Sequence, residues 1–144
     1  AARGGRRTAV YKKYRRQGLL LLGGLAVGVL VGNVCLKNLI ARPRPCWLDS
    51  SVRLLIADPT DYSFPSGHTL SSVIGATILT RTDRRFGYAA IPLTALIAFS
   101  RLYLFVHFST DVLASVILGL VIGHLVWKYG SILLNKIMPQ QENM

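Results

Sequence analysis

The sequence predicts an all-α membrane protein, a polytopic bundle of transmembrane helices, and three observations lead to this fold class. Hydrophobic residues make up 51% of the 144 residues and charged residues only 16%, against about a quarter charged in a soluble domain. Four apolar segments recur along the chain, at about residues 18–36, 69–80, 88–104 and 112–127. The basic residues stand mostly between these segments, as in the loops of membrane proteins.

The first and third segments approach the roughly 20 residues that cross a bilayer, whereas the other two are shorter. The second segment can serve as a bundle helix if its outer end lies within the bilayer and is covered by protein. In the first segment, Gly24, Gly28 and Gly32 follow one another at four-residue spacing and line one helix face. Such a face permits close helix contact, so it predicts packing either within the bundle or in a homo-oligomer.

The loop charges predict the orientation of the chain in the membrane. With four spans, twelve of the 17 basic residues fall on one side, which the positive-inside rule makes cytoplasmic. Residues 1–17 then form a basic cytoplasmic segment and residues 46–64 an extracytoplasmic loop of a single domain, residues 1–144. The net charge of +11 follows from this topology and does not indicate a nucleic-acid partner. Because the chain starts at Ala1, we expect further natural sequence before it, such as another helix.

Three groups of polar residues collect at the predicted outer helix ends. The first follows the first helix, the second precedes the second helix, and the third surrounds the turn between the third and fourth helices. His107 and Asp111 are four residues apart, so on a helix they share one face, and the carboxylate can fix the imidazole tautomer. A Ser-Gly pair at a helix N-terminus offers backbone N–H groups to an anion. The groups are Lys37 to Pro45, Pro65-Ser66-Gly67-His68, and Ser100 to Asp111.

From these groups the cations Lys37, Arg44 and Arg101, hydroxyl and backbone donors, two histidines and one carboxylate suit a tetrahedral oxyanion such as a phosphoryl group. One histidine would attack phosphorus while the other protonates the leaving oxygen; the residues alone leave open which does which, although the Asp111 partner favours His107. A metal hydrolase would need more ligands, because Asp111 is the only acid among the three groups. Cys35 and Cys46 form no disulfide framework or metal site, and we expect free thiols.

The three groups resemble the signature motifs of the type 2 phosphatidic acid phosphatase (PAP2) superfamily: Lys-x6-Arg-Pro, Pro-Ser-Gly-His and Ser-Arg-x5-His-x3-Asp. Every fixed position is present, in order. The resemblance implies that His107 forms a phosphohistidine, that Asp111 orients it, and that His68 acts as general acid and then as base. It implies no metal and no cofactor. It assigns phosphate binding to Lys37, Arg44, Ser66, Gly67 and Arg101, with Pro45, Pro65 and Ser100 in supporting positions.

Membrane members of the family usually have six transmembrane helices, and only four can be identified here, so the resemblance implies that the first part of the fold is missing or trimmed. It also implies an integral membrane lipid phosphatase whose site faces the extracytoplasmic side of a bacterial plasma membrane. Its substrate would be undecaprenyl pyrophosphate, phosphatidylglycerol phosphate or phosphatidic acid. Two alternatives stay open. One is a lipid phosphotransferase with the same intermediate, and the other is a non-enzymatic anion-binding or transport protein.

Overall fold

The structure is a computed structural model that describes residues 2–138, with side chains from residue 14 onward. Every regular element in this part of the chain is a helix, which confirms the predicted all-α fold class. Five helices follow one another, and two of them contain π-helical stretches. Helix α1 consists of α-helical Ala2–Gly28, π-helical Val29–Leu36 and α-helical Lys37–Ile40. The next three helices are α2 (Pro45–Leu48), α3 (Gly67–Thr82) and α4 (Arg84–Tyr103). Helix α5 consists of α-helical Ser109–Leu125, π-helical Val126–Gly130 and α-helical Ser131–Ile137.

Within the described residues, three helical stretches are long and apolar enough to cross a membrane: Tyr14–Leu48, Arg84–Tyr103 and Ser109–Ile137. The fourth apolar segment is longer than the sequence predicts. The apolar pattern predicts an end near residue 127, but the helix continues to Ile137. Lys128 did not end the helix, because an exposed lysine can direct its ammonium group away from apolar surroundings.

Helix α3 has only 16 residues and forms the centre of the bundle, where it packs against α1, α4 and α5. Its side chains Leu70, Ile74 and Ile78 are almost completely buried and form the core together with Leu20 and Ile122. A short helix can sit in a membrane protein when other helices cover it. The predicted role of the second apolar segment agrees with this position.

The glycine face of α1 lies against the core side chains of α3. A Cβ atom added at Gly24, Gly28 or Gly32 would lie 2.5–2.7 Å from a side-chain atom of α3, too close for a normal contact. These glycines therefore pack within the bundle, the first of the two predicted alternatives. Because α3 covers this face, it offers no free surface to a second copy of the chain, and homo-oligomerisation stays a prediction without an assigned interface.

The segment between α1 and α3, residues 41–66, is held against the bundle near both of its ends. Ala41 adopts a left-handed conformation (φ 47°) that ends α1, and the prolines at positions 43 and 45 prevent the helix from resuming at once. The backbone N–H of Ser63 donates to the Arg42 carbonyl (2.8 Å), and the indole of Trp47 donates to the Pro59 carbonyl (3.1 Å). These two bonds hold the loop against the end of α1.

Candidate active site

The three predicted polar groups meet at one end of the bundle around a cavity of about 660 Å³. Helix α1 and the chain after it contribute two cations, and the start of α3 contributes a histidine. The last turn of α4 contributes an arginine, and the turn between α4 and α5 contributes a second histidine. The remaining predicted residues lie outside the cavity wall. The predicted residues that line the cavity are Lys37, Arg44, Gly67, His68, Arg101 and His107.

Arg44 is the most firmly held of the three cations. Its side chain is 5% exposed, and its guanidinium donates to the backbone carbonyls of Asp61 (2.7 Å) and Val106 (2.8 Å). Its Nη1 lies 3.3 Å from Nε2 of His107. These bonds fix the guanidinium against one ring nitrogen of His107, a residue that also borders the cavity.

The opposite ring nitrogen of His107 faces two buried side chains. Nδ1 lies 3.8 Å from Oδ2 of Asp111 and 3.5 Å from Oγ of Ser63, and the Ser63 hydroxyl donates to the same Asp111 oxygen. The 3.8 Å separation is too long for a hydrogen bond. The expected hydrogen bond between His107 and Asp111 on one helix face is therefore wrong. Helix α5 begins at Ser109, so His107 belongs to the preceding turn. Ser63 lies beside the pair.

Asp111 is completely buried, and three hydrogen-bond donors surround its carboxylate. Oδ1 accepts from the Arg42 guanidinium at 2.7 Å, and Oδ2 accepts from the backbone N–H of Phe108 at 2.9 Å as well as from Ser63. The first turn of α5 adds the favourable end of the helix dipole. Arg42 also stacks over the Phe108 ring at 4.1 Å, so the carboxylate is fixed in place.

The pKa of His107 is lowered from its usual value to about 4. Burial of the imidazole is the largest cause, the positive charge of Arg44 adds to it, and the Asp111 carboxylate opposes both. The imidazole is therefore neutral at neutral pH, which is the form that has a nitrogen lone pair for attack or proton uptake.

At the start of α3, the predicted donors differ in position. Ser66 is completely buried and its Oγ lies 3.0 Å from the hydroxyl oxygen of Thr69, so this hydroxyl is outside the cavity wall. Gly67 borders the cavity, and a Cβ there would lie 2.9 Å from the side-chain oxygen of Asn33. A glycine is needed here because Asn33, which also lines the cavity, approaches the backbone closely.

The predicted supporting residues hold the motifs rather than line the cavity. Ser100 donates to the carbonyl of Ile97 (2.7 Å) and accepts from Nε of Arg101 (3.1 Å), so it orients that arginine. Pro45 is buried at the first position of α2, where its missing N–H has no cost. Pro65 is also buried.

Sequence reasoning missed four polar residues of this region: Asn33, Arg42, Asp61 and Ser63. Asp61 lines the cavity and forms ion pairs with Lys37 and Arg44, at 2.6 Å to the latter. Burial alone would raise the pKa of the Asp61 carboxyl, but the hydrogen bonds and charges of the two cations outweigh burial and lower it. The available signals were the Arg-Pro-Arg-Pro repeat and the position of Asp61 and Ser63 directly before Pro65-Ser66-Gly67-His68.

Residues 17–133, most of the chain, match the family described as the PAP2 superfamily. The chain belongs to the PAP2 superfamily. As a PAP2 protein it is 34% identical, over 76% of its length and 53% of the relative's, to an undecaprenyl-diphosphatase of Sulfolobus acidocaldarius. It is 30% identical, over 82% of its length and 54% of the relative's, to a lipid A 4'-phosphatase of Porphyromonas gingivalis. The chain thus spans about half the length of these relatives.

A solved structure has a similar arrangement of helices. It is the crystal structure of a transmembrane PAP2 type phosphatidylglycerolphosphate phosphatase from Bacillus subtilis, with a TM-score of 0.67 and 30% sequence identity. The match covers 86% of this chain and 62% of that one. The likeness supports an integral membrane PAP2 fold for this chain.

Proposed function

We propose that this PAP2 protein hydrolyses a terminal phosphate or pyrophosphate of a membrane lipid through a phosphohistidine on His107. One observation carries the proposal. A buried, neutral imidazole borders a cavity that also contains a second histidine, His68, and three cations, Lys37, Arg44 and Arg101. Positive charges arranged around a nucleophile stabilise the charge that develops on phosphoryl oxygens.

In the first step, Nε2 of His107 attacks phosphorus while the bond from phosphorus to the lipid oxygen breaks. His68 donates its proton to that oxygen, so the lipid leaves as an alcohol or, from a pyrophosphate, as a lipid phosphate. Nδ1 keeps its proton on the side of Asp111 and Ser63, where the carboxylate stabilises the positive charge of the phosphorylated ring. The cations hold the phosphoryl oxygens throughout the step.

In the second step, water attacks the phosphohistidine. His68, now neutral, accepts a proton from the water as the bond between phosphorus and Nε2 breaks, and inorganic phosphate is released. The site returns with a neutral His107 and a protonated His68. This cycle uses residues of the chain alone, so we propose that it needs no metal ion.

The substrate class follows from the position of the site at one end of the membrane-spanning helices. A lipid can place its phosphorylated head group in the cavity there while its tail remains in the bilayer. The named relatives act on lipids that carry a phosphate or diphosphate group, and undecaprenyl pyrophosphate, phosphatidylglycerol phosphate and phosphatidic acid are the substrates we propose. The basic residues of the opposite end support a site on the extracytoplasmic side of the membrane, and we propose that this membrane is a bacterial plasma membrane.

A panel of these three lipids, assayed for released phosphate in detergent with EDTA and without an acceptor, tests the proposal. We expect phosphate release from at least one lipid and loss of release in His107→Ala. If phosphate appears only when an alcohol acceptor is added, the protein is a phosphotransferase. If no lipid releases phosphate with or without an acceptor, while the natural protein and His107→Ala bind phosphate equally, the anion-binding alternative is correct. Activity that disappears in EDTA contradicts the metal-free cycle.

A further inference from the structure

The Asp61 carboxylate forms ion pairs with two of the three cations that the proposed function assigns to phosphate. One of its oxygens binds Nζ of Lys37, and the other lies 2.6 Å from Nη2 of Arg44. The side chains of both cations are nearly buried, at 10% and 5% exposure, whereas that of Asp61 is 55% exposed. The Asp61 side chain therefore extends from the exposed loop into the cavity, where its carboxylate lies between Lys37 and Arg44.

A carboxylate and a phosphoryl group present the same feature to these cations, a pair of anionic oxygens that matches the guanidinium fork. Both cannot occupy one position, and two anions held side by side would repel each other. A bound phosphoryl group that uses Lys37 and Arg44 must therefore displace the Asp61 side chain.

The surroundings of Asp61 permit this displacement without opening the site. The loop is pinned on both sides of Asp61, by the bond from Ser63 to the Arg42 carbonyl and by the bond from Trp47 to the Pro59 carbonyl. Arg44 keeps its bonds to the backbone carbonyls of Asp61 and Val106 when the carboxylate leaves. A rotation of one half-exposed side chain is enough to free both cations.

We propose that Asp61 is an internal competitor that sets the affinity of the phosphate subsite, an inference that rests on the proposed function. Only the fraction of molecules in which Asp61 has moved away can bind a phosphoryl group, so the apparent dissociation constant rises by the reciprocal of that fraction. The factor is the same for substrate and for product phosphate. Asp61 therefore weakens product inhibition as much as it weakens substrate binding.

The Asp61→Asn variant tests this role, because amide and carboxylate have nearly the same shape and only the amide is uncharged. We expect inorganic phosphate to bind the variant more tightly by about tenfold, the change expected for the loss of two partly exposed ion pairs. Orthovanadate should gain the same factor, and the KM for a lipid phosphate should fall by that factor as well. An Asp61→Glu variant, which keeps the charge, should bind phosphate as weakly as the natural protein.

Binding is measured by calorimetry on the detergent-solubilised full chain, with inorganic phosphate as the titrant. The matched control is Asp58→Asn, which removes the same charge from an exposed position of the same loop and should leave the affinity unchanged. Melting temperatures of all variants verify that each is folded before titration.

Unchanged or weaker phosphate binding by folded Asp61→Asn overturns the competitor role and shows that Asp61 only anchors the two cations. If the natural protein binds phosphate and hydrolyses lipid phosphates in that case, the proposed function stands. If neither the natural protein nor Asp61→Asn binds phosphate, the phosphate subsite itself is wrong, and both the inference and the proposed function fall.

Discussion

Replacing Ser63 with alanine tests how the buried network supports His107. The hydroxyl of Ser63 donates to Oδ2 of Asp111 and lies 3.5 Å from Nδ1 of His107. All three residues are buried, so water cannot simply replace the lost donor. In Ser63→Ala, Oδ2 keeps only the backbone N–H of Phe108, while Oδ1 keeps the guanidinium of Arg42.

The expected loss of activity can be estimated from the one hydrogen bond that Ser63→Ala removes from the Asp111 carboxylate. A hydrogen bond to a charged group contributes about 1.5–3 kcal/mol, which corresponds to about ten- to hundredfold in rate if the contribution is expressed in the transition state. This is the stage at which positive charge builds on His107 and the fixed position of Asp111 matters most. We therefore expect kcat/KM to fall by about ten- to hundredfold while KM changes little.

The assay is phosphate release from a short-chain lipid phosphate in detergent, and the matched control is Ser115→Ala. Ser115 is also completely buried, but its hydroxyl donates to the backbone carbonyl of Asp111 at 2.7 Å and not to the carboxylate. We expect this control to lower the melting temperature with a much smaller effect on kcat/KM. Equal losses of kcat/KM in Ser63→Ala and Ser115→Ala would refute the positioning role of Ser63. An unchanged kcat/KM in Ser63→Ala would refute it as well.

Two further predictions concern protonation and packing. The NMR titration of His107 should have its midpoint near pH 4. Arg44→Gln should move this midpoint upward, because a nearby positive charge that opposes protonation is removed. A midpoint near 6.5 in the natural protein would contradict the buried environment of the imidazole. Gly119→Ala should destabilise the fold by about 1–3 kcal/mol, because its Cβ would lie 2.7 Å from Cβ of Val73. Gly23→Ala is the control in the same thermal unfolding assay, because a Cβ at Gly23 would have no neighbouring atom within 4 Å. Equal stability of the two variants would contradict the close packing of Gly119 against Val73.

The meeting of the three motifs could be predicted from the sequence because it depends on topology alone. Helix ends that lie on the same side of a membrane are brought together when the helices form one bundle. This places Lys37, His68 and His107 at one cavity without any knowledge of side-chain contacts. The glycine face of α1 was predictable for a similar reason, because small residues at four-residue spacing permit close packing.

The contacts of the segment between α1 and α3 could not be predicted in this way. Asp61 and Ser63 lie in a segment without regular structure, so no periodicity indicates which face they present or which residues they meet. The pairing of Arg42 with Asp111 joins positions far apart in the chain and depends on how the loop folds back over α5. Four-residue spacing also suggested a helical pair at His107, but spacing does not reveal that the helix begins at Ser109.

The central claim is that His107 carries the phosphoryl group during turnover. The direct measurement is to mix the protein with a lipid phosphate labelled with ³²P, stop the reaction in alkali, in which phosphohistidine survives, and locate the label by mass spectrometry of peptides. We predict the label on His107 and none on His107→Asn. In His68→Asn, which lacks both the acid of the first step and the base of the second, the label should form and disappear more slowly. Phosphate release without a labelled protein in any variant, or a label on another residue, would contradict the mechanism.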